Sequence, residues 1–334
     1  MAPAVRVVGL RKTFRVRERA PGLLGAFRSL FSATTREVVA VEALSFEIAA
    51  GERVAFIGPN GAGKSTTLKV LSGILHPTAG DVEVLGLVPW RDRREVALRI
   101  GTVFGQRSQL WSHLPAGDTF DLLAHVYDQD AATHRRRRAE LTEVFGIGPL
   151  LTKPVRQLSL GERMRCELVA SLLHAPRVLF LDEPTIGLDV SAKAAIRDLV
   201  RRRADEDGCA VILTSHDTGD MERVCDRAIV IHRGRLLLDE PVQSLRRFIR
   251  RKVVTLATAE PDVVLDLPGL TVVERAPHRT VIEVDVTVTP VEAVIHAALA
   301  VTRLNDLSVE DPPMEEIVAA IYASADAKAA AVTP

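Results

Sequence analysis

The sequence predicts an α/β protein: a parallel-sheet core, a helical insertion within it, and a small α+β domain after it. Three observations carry that prediction. A short apolar strand over 53–57 runs into a glycine-rich turn and then a helix over 65–74. Two further apolar runs, 178–181 and 210–213, flank a helix-like segment over 191–203, which makes a βαβ unit with strands buried on both faces. Between them, over 90–165, apolar residues recur at helical spacing among many arginines, as in Phe120, Leu123 and Tyr127 and then Leu141, Val144 and Phe145.

The remaining elements follow in chain order. Residues 38–57 form two strands with a turn at Ala49, Ala50 and Gly51. Residues 228–231 and 236–238, joined by Arg233 and Gly234, form a closing hairpin, and Glu240-Pro241 marks a break. The core is therefore expected over 1–240 and a second domain over 241–334. That domain alternates strands at 253–257, 271–273 and 280–284 with helices at 290–300 and 314–323, and residues 325–334 are expected to fray.

Composition limits the functions open to the chain. In 334 residues, hydrophobic side chains make up 47%, enough for a sizeable core, and 43 Lys and Arg balance 43 Asp and Glu. No global field would hold such a protein on nucleic acid, so no nucleic-acid partner is expected. Cys166, Cys209 and Cys225 are odd in number and lack metal-ligand spacing, which points to reduced thiols. Residues 1–12 hold no sustained apolar stretch, and no segment approaches the roughly 18 apolar residues of a spanning helix, so any membrane part is expected from another chain.

The chemistry concentrates in four segments. Gly58-Pro59-Asn60-Gly61-Ala62-Gly63-Lys64-Ser65 fits the phosphate-cradling pattern G-x-x-x-x-G-K-[ST] and lies between strand and helix, the context that motif requires. Its backbone N–H groups would converge on phosphate at the positive end of the helix, Lys64 adds a cation, and Ser65 offers a hydroxyl to Mg²⁺. The apolar run over 178–181 ends in Asp182-Glu183, one acid for Mg²⁺ and the next for an attacking water. Leu158-Ser159-Leu160-Gly161-Glu162 opens a helix, where a simple helix cap explains Ser159 equally well. His216 follows an apolar strand, where it could meet a γ-phosphate or serve a structural role.

Taken in this order, with Gly187-Leu188-Asp189 and Ser215-His216, the segments make residues 5–238 resemble the nucleotide-binding subunits of ATP-binding cassette (ABC) transporters. The resemblance implies a P-loop core with a RecA-like parallel sheet, an antiparallel β subdomain and a helical subdomain over about 90–165. It implies ATP and Mg²⁺ as cofactors. Phe14, Gly58, Asn60, Gly61, Ala62, Gly63, Lys64, Ser65 and Thr66 would hold the nucleotide, and Ser65, Gln106 and Asp182 the metal. Glu183 would be the general base, His216 the γ-phosphate switch and Gln106 the coupling glutamine, with Gln109 as its rival. Ser159, Gly161 and Asp189 would act across a dimer, homomeric or heteromeric, because a helix whose N-terminus faces away from its own P-loop reaches a phosphate only in a second subunit.

The segment Phe104-Gly-Gln-Arg-Ser-Gln-Leu-Trp111, the Leu-Ser-Leu-Gly sequence and an insertion over 15–37 look like ATPase subunits of ABC-2-type exporters, near the viologen and drug exporters. That implies an integral-membrane ABC-2-type permease as partner and a cytoplasmic protein, peripheral on the inner face of the cell membrane. The alternative is a soluble ABC ATPase acting on nucleic acid, ribosomes or a cofactor-assembly complex. Leu160 stands where the family usually has glycine and Glu162 where it has glutamine. The insertion is either an amphipathic helix touching membrane or permease, or a segment packed on the cassette. Arginines over 135–138 and 201–203 are expected on solvated faces beside acids, and the basic run 246–252 is a candidate for lipid headgroups.

Overall fold

The computed structural model describes residues 2–17, 35–105, 108–185, 187–214, 218–248 and 250–332. The chain divides into two compact units, residues 1–242 and 243–334. The division falls two residues after the expected break because the Val242 N–H donates to the Asp226 carbonyl at 2.9 Å and stays with the first unit.

In the first unit the elements run β1 (Val5–Arg17), β2 (Thr35–Ile48), β3 (Arg53–Ile57), α1 (Lys64–Leu71), β4 (Ala79–Val84), α2 (Arg93–Ala97) and β5 (Ile100–Phe104). They continue as α3 (Ala116–Val126), α4 (Ala131–Val144), α5 (Leu160–Leu172), β6 (Val178–Asp182), α6 (Val190–Asp207), β7 (Ala210–Thr214), α7 (Thr218–Val224), β8 (Arg227–His232) and β9 (Arg235–Pro241). A six-stranded sheet has the order β5-β6-β7-β3-β8-β9, parallel except for β9. An antiparallel sheet, β2-β1-β4, is joined to it by a common core that includes Leu10, Leu44, Ile48, Phe56, Leu68, Leu71, Phe180 and Ile231. Residues 178–182 and 210–214 are buried throughout, as parallel strands covered on both faces must be, whereas Leu44, Phe46 and Ile48 turn inward at the period of two that suits a half-covered strand.

Several expectations need correction. The span 90–165 is not wholly helical: Ile100-Gly-Thr-Val-Phe104 is β5, an edge strand paired to β6. Five residues beside an arginine-rich helix are too short a run to show a period of two. The segment 15–37 does not begin and end as an insertion, because Arg15 pairs with Glu37, Val16 with Arg36 and Arg17 with Thr35, which prolongs the β1–β2 hairpin; residues 18–34 lie outside the described residues. The helix after the glycine turn stops at Leu71, three residues early, where Gly73 takes a left-handed φ of 71°.

The second unit holds β10 (Arg251–Thr258), β11 (Leu270–Ala276), β12 (Arg279–Asp285), α8 (Val291–Val301), β13 (Leu304–Glu310) and α9 (Met314–Val332). Its antiparallel sheet, β11-β12-β10-β13, and α8 enclose a core of Val254, Leu256, Ile282, Val284, Val294 and Ala298. Strand β13 was not expected, since Leu304-Asn-Asp-Leu-Ser-Val-Glu310 is largely polar and is held by its pairing to β10. Residues 325–332 are helical rather than frayed, because an alanine-rich stretch continues α9 at little entropic expense. Within the basic run 246–252, Arg246 and Lys252 both bind Asp311 and Arg251 binds Glu283. The Lys252 ammonium, with Arg246, holds the Asp311 carboxyl below its usual range.

In the two arginine clusters of the first unit, Arg138 bonds Asp121, and Arg203 bonds Glu140 at 3.1 Å and Asp207 at 2.8 Å, while Arg137 buries an Nη1 with no hydrogen-bond partner among the described residues. All three cysteines are buried, and burial pushes the thiols of Cys166 and Cys209 up to about 12. Among the described residues no helix is long and apolar enough to cross a membrane.

His174, just past α5, links the helical region to β5. Its Nε2 lies 2.8 Å from the Ile100 carbonyl, its ring stacks on Tyr127 at 3.8 Å, and its buried Nδ1 has no hydrogen-bond partner among the described residues. Burial holds its pKa down at about 4, against 6.5 for the free side chain. Between those values the unfolded chain binds more protons, so this contribution is complete above pH 6.5 and is lost as pH falls towards 4. From pH 8 to pH 5 the loss is about 2 kcal/mol. Urea unfolding at the two pH values should show that difference shrinking by this amount in His174→Gln.

Candidate functional site

Four chemistry-bearing segments leave the carboxyl ends of neighbouring parallel strands: Gly58 after β3, Gly105 after β5, Glu183 after β6 and Thr214 closing β7. Such an edge is where α/β sheets place ligands. The glycine turn after β3 is held tightly. Gly63 caps α1 with φ 104°, and a Cβ there would stand 2.5 Å from the Ala40 carbonyl oxygen of β2, so only glycine fits. The Ala62 N–H donates to the Pro59 carbonyl at 3.0 Å, and the Gly234 N–H of the β8–β9 turn donates to the Ala62 carbonyl at 3.0 Å. Asn60 and Gly61 are exposed at the tip, while Ser65 and Thr66 are half-buried in the first turn of α1.

Lys64 is 6% exposed. Its ammonium donates to the Gly58 carbonyl and, at 3.3 Å, to that of Pro59. Burial pulls its pKa down, and the charges of Glu183 and Asp182 oppose that shift, which places both acids within electrostatic reach of the loop.

The two acids are positioned by a residue the sequence did not single out. Asp182 and Thr214 are register partners in β6 and β7, and the Thr214 hydroxyl donates to the buried Asp182 carboxylate at 2.7 Å. The Glu183 N–H donates to the Thr214 carbonyl at 3.1 Å and is 3.2 Å from its hydroxyl oxygen. Glu183 itself adopts a left-handed φ of 57°, a strained setting for a non-glycine residue that turns the chain sharply off the strand. Threonine at the end of an apolar run, one strand over from the acid pair, was the signal available for this role.

Ser159, Gly161 and Asp189 form a second group. Ser159 caps α5 in a reciprocal box: its hydroxyl accepts from the Glu162 N–H at 3.2 Å, and the Glu162 carboxylate accepts from the Ser159 N–H at 2.8 Å. That bond holds the Glu162 carboxyl below its usual range. A Cβ on Gly161 would lie 2.7 Å from the Gly187 carbonyl, so the helix start rests directly on the backbone leading to α6. Asp189 caps α6, accepting from the Ser191 hydroxyl at 2.6 Å and the Ala192 N–H at 2.8 Å. Leu160, in the usual glycine position, packs against Gly187 yet stays 46% exposed. Among the described residues, this group makes no hydrogen bond to Lys64 or Asp182.

Phe14 sits in β1 opposite Val38, two residues before the Ala40 that abuts Gly63, and the Lys12 ammonium lies 5.1 Å from its ring centroid. Gln106 and His216 lie outside the described residues. Gln109, the rival of Gln106, commits its side-chain amide to the Glu167 carbonyl of α5 at 3.0 Å.

The family described as ABC transporter matches residues 41–186. The bacitracin transport ATP-binding protein BcrA of Bacillus licheniformis is 31% identical over 212 residues, covering 63% of this chain and 68% of that protein. The chain belongs to the ABC transporter family. The daunorubicin resistance ATP-binding protein DrrA3 of Streptomyces coeruleorubidus is 38% identical over 207 residues, 62% of this chain and 65% of that protein. The matches thus span about two thirds of those curated relatives. Among solved structures, a dimeric ATP-binding cassette in a post-hydrolysis state bound to ADP and Pi has a TM-score of 0.60 and 25% identity, over 71% of this chain and 98% of that one. An ATP-binding subunit of an ABC transporter has a TM-score of 0.62 over 73% of this chain and 92% of that one, at 24% identity. The fold is that of the ABC cassette, an α/β core with parallel and antiparallel sheets.

Proposed function

We propose that this ABC protein binds Mg·ATP and hydrolyses it, and that it powers a separately encoded ABC-2-type permease that exports drug-like or other small molecules. The observation that carries the reading is Lys64 in its glycine cradle after β3, with its ammonium under the charge of Asp182 and Glu183 at the end of β6, and with Thr214 of the intervening β7 holding the Asp182 carboxylate and the Glu183 backbone.

The residues divide the work. The N–H groups of residues 61–65 and the Lys64 ammonium bind and orient the β- and γ-phosphates. Ser65, Asp182 and Gln106 would hold Mg²⁺, which would neutralise phosphate charge when bound. The donor set suits a hard cation: Asp182 gives Oδ1 to Thr214, and its other oxygen is engaged by no described residue. Glu183 accepts a proton from the attacking water as the new P–O bond forms and the bond to the ADP leaving group breaks. Ser159, Gly161 and Asp189 serve the nucleotide of a second subunit, so two ATP molecules are enclosed between two cassettes, identical or not. Export is supported by the relatives, whose names concern daunorubicin resistance and bacitracin transport. Such a subunit works in the cytoplasm, against the inner face of the cell membrane.

Two measurements test the reading. The purified chain should release phosphate from ATP only with Mg²⁺ present. Tagged Glu183→Gln protein, isolated from gently solubilised native membranes, should bring down a polytopic membrane protein in stoichiometric amount. Recovery with soluble partners alone would remove the transporter assignment and leave hydrolysis to be judged by the first assay.

A further inference from the structure

The signature helix α5 carries a buried acid that the mechanism above does not use. Glu167 is 5% exposed, on a face whose neighbours Met164, Leu168 and Ala170 are apolar. A carboxylate there is expensive unless every lone pair is met. No cation meets it at hydrogen-bond distance among the described residues. Its partners all come from one short stretch after β5: the Ser108 hydroxyl donates to one oxygen, and the Gln109 N–H donates to the other at 3.2 Å. The Gln109 side chain then donates to the Glu167 backbone carbonyl at 3.0 Å, and the Ser108 oxygen accepts from the Leu110 N–H at 3.1 Å. Burial pushes the Glu167 carboxyl up, and the Ser108 and Gln109 bonds pull it back.

The other end of this stretch is fastened elsewhere. Phe104 is the register partner of Asp182, and the Gly105 N–H donates to the Asp182 carbonyl at 3.2 Å. Gly105 therefore belongs with the metal-binding acid, and Ser108 belongs with the helix that begins at Ser159. Three residue steps separate them, at most about 11 Å of extended chain.

We infer that Glu167 is a positioning residue for ATP hydrolysis: by clamping residues 108–110 to α5, it ties the strand end that carries Asp182 to the helix that presents Ser159. With the clamp closed, a shift of α5 must be felt at Asp182 within that short reach. With it open, the start of α5 is tied to the acid pair more loosely, through the far end of that helix and residues 173–177 into β6, and fewer encounters have both in place. The inference rests on the proposed ATPase function.

The test uses the full chain and steady-state kinetics. Glu167→Gln keeps the size of the side chain but offers a single acceptor oxygen to two donors, so one donor faces an NH₂ group. Ser108→Ala removes the hydroxyl from an exposed residue, where folding is not at stake, and Ser108→Thr keeps it. Because nothing in the glycine turn changes, KM for ATP should stay within about twofold while kcat falls about tenfold in Glu167→Gln and Ser108→Ala. The double variant should be no slower than the worse single one, and Ser108→Thr should match the unaltered protein. Unchanged kcat in Ser108→Ala, or multiplicative losses in the double variant, would overturn the clamp while the unaltered protein still hydrolyses ATP. Absence of hydrolysis in the unaltered protein would instead overturn the proposed function on which the clamp rests.

Discussion

Replacing Glu183 with glutamine is expected to lower phosphate release at saturating Mg·ATP by about 100- to 10,000-fold, the range a positioned general base supplies. ATP binding should be nearly unchanged, because Lys64 and the glycine turn are untouched. The substitution isolates chemistry from folding. What fixes residue 183 is its backbone: the N–H is held by Thr214, and the φ of 57° is as accessible to glutamine as to glutamate. A stalled chain should also accumulate as an ATP-dependent dimer, visible as a shift in gel filtration that appears with ATP and disappears with ADP. Turnover at the normal rate would remove Glu183 as the base.

The second large effect is expected at Lys64. Its ammonium is buried among carbonyl oxygens and faces two acids, so Lys64→Ala removes the cation and leaves Asp182 and Glu183 to repel an incoming triphosphate. Hydrogen bonds to charged groups contribute about 1.5–3 kcal/mol each, which converts to a rise in Kd for Mg·ATP of about 10- to 150-fold. Titration calorimetry checks it. The fold should survive, since Gly63, Thr67 and the Gly234 contact hold the loop through backbone and hydroxyl groups. Retained affinity would place the phosphates elsewhere than this loop.

What was legible in the sequence was whatever depends on local order. The glycine turn, the apolar strand ending in Asp182-Glu183 and the hairpin turn at Arg233-Gly234 announce themselves because backbone geometry or double burial restricts which residues fit. The role of Thr214 needed register: nothing in Ala-Val-Ile-Leu-Thr says that its last hydroxyl faces Asp182 until β7 is laid beside β6. Glu167 was hidden for the opposite reason, since a glutamate in a helix ordinarily faces water, and its partners lie 58 and 59 residues away. Strands β5 and β13 were missed because edge or polar strands owe their conformation to a neighbour's ladder more than to their own side chains. The roles given to Gln106 and His216 rest on the family resemblance, and both residues lie outside the described residues.

The capping box at α5 bears on the two readings that the sequence left open at Ser159. A hydroxyl carries two lone pairs and one proton. Receiving the Glu162 N–H occupies a lone pair and leaves the proton uncommitted by that bond. Holding the helix start and donating outward to an anion are therefore compatible acts of one atom, performed with different parts of its valence shell. The Glu162 carboxylate, by taking the Ser159 N–H, occupies that residue's own backbone donor. A phosphate approaching Ser159 would thus meet the side-chain proton and not the residue's own amide.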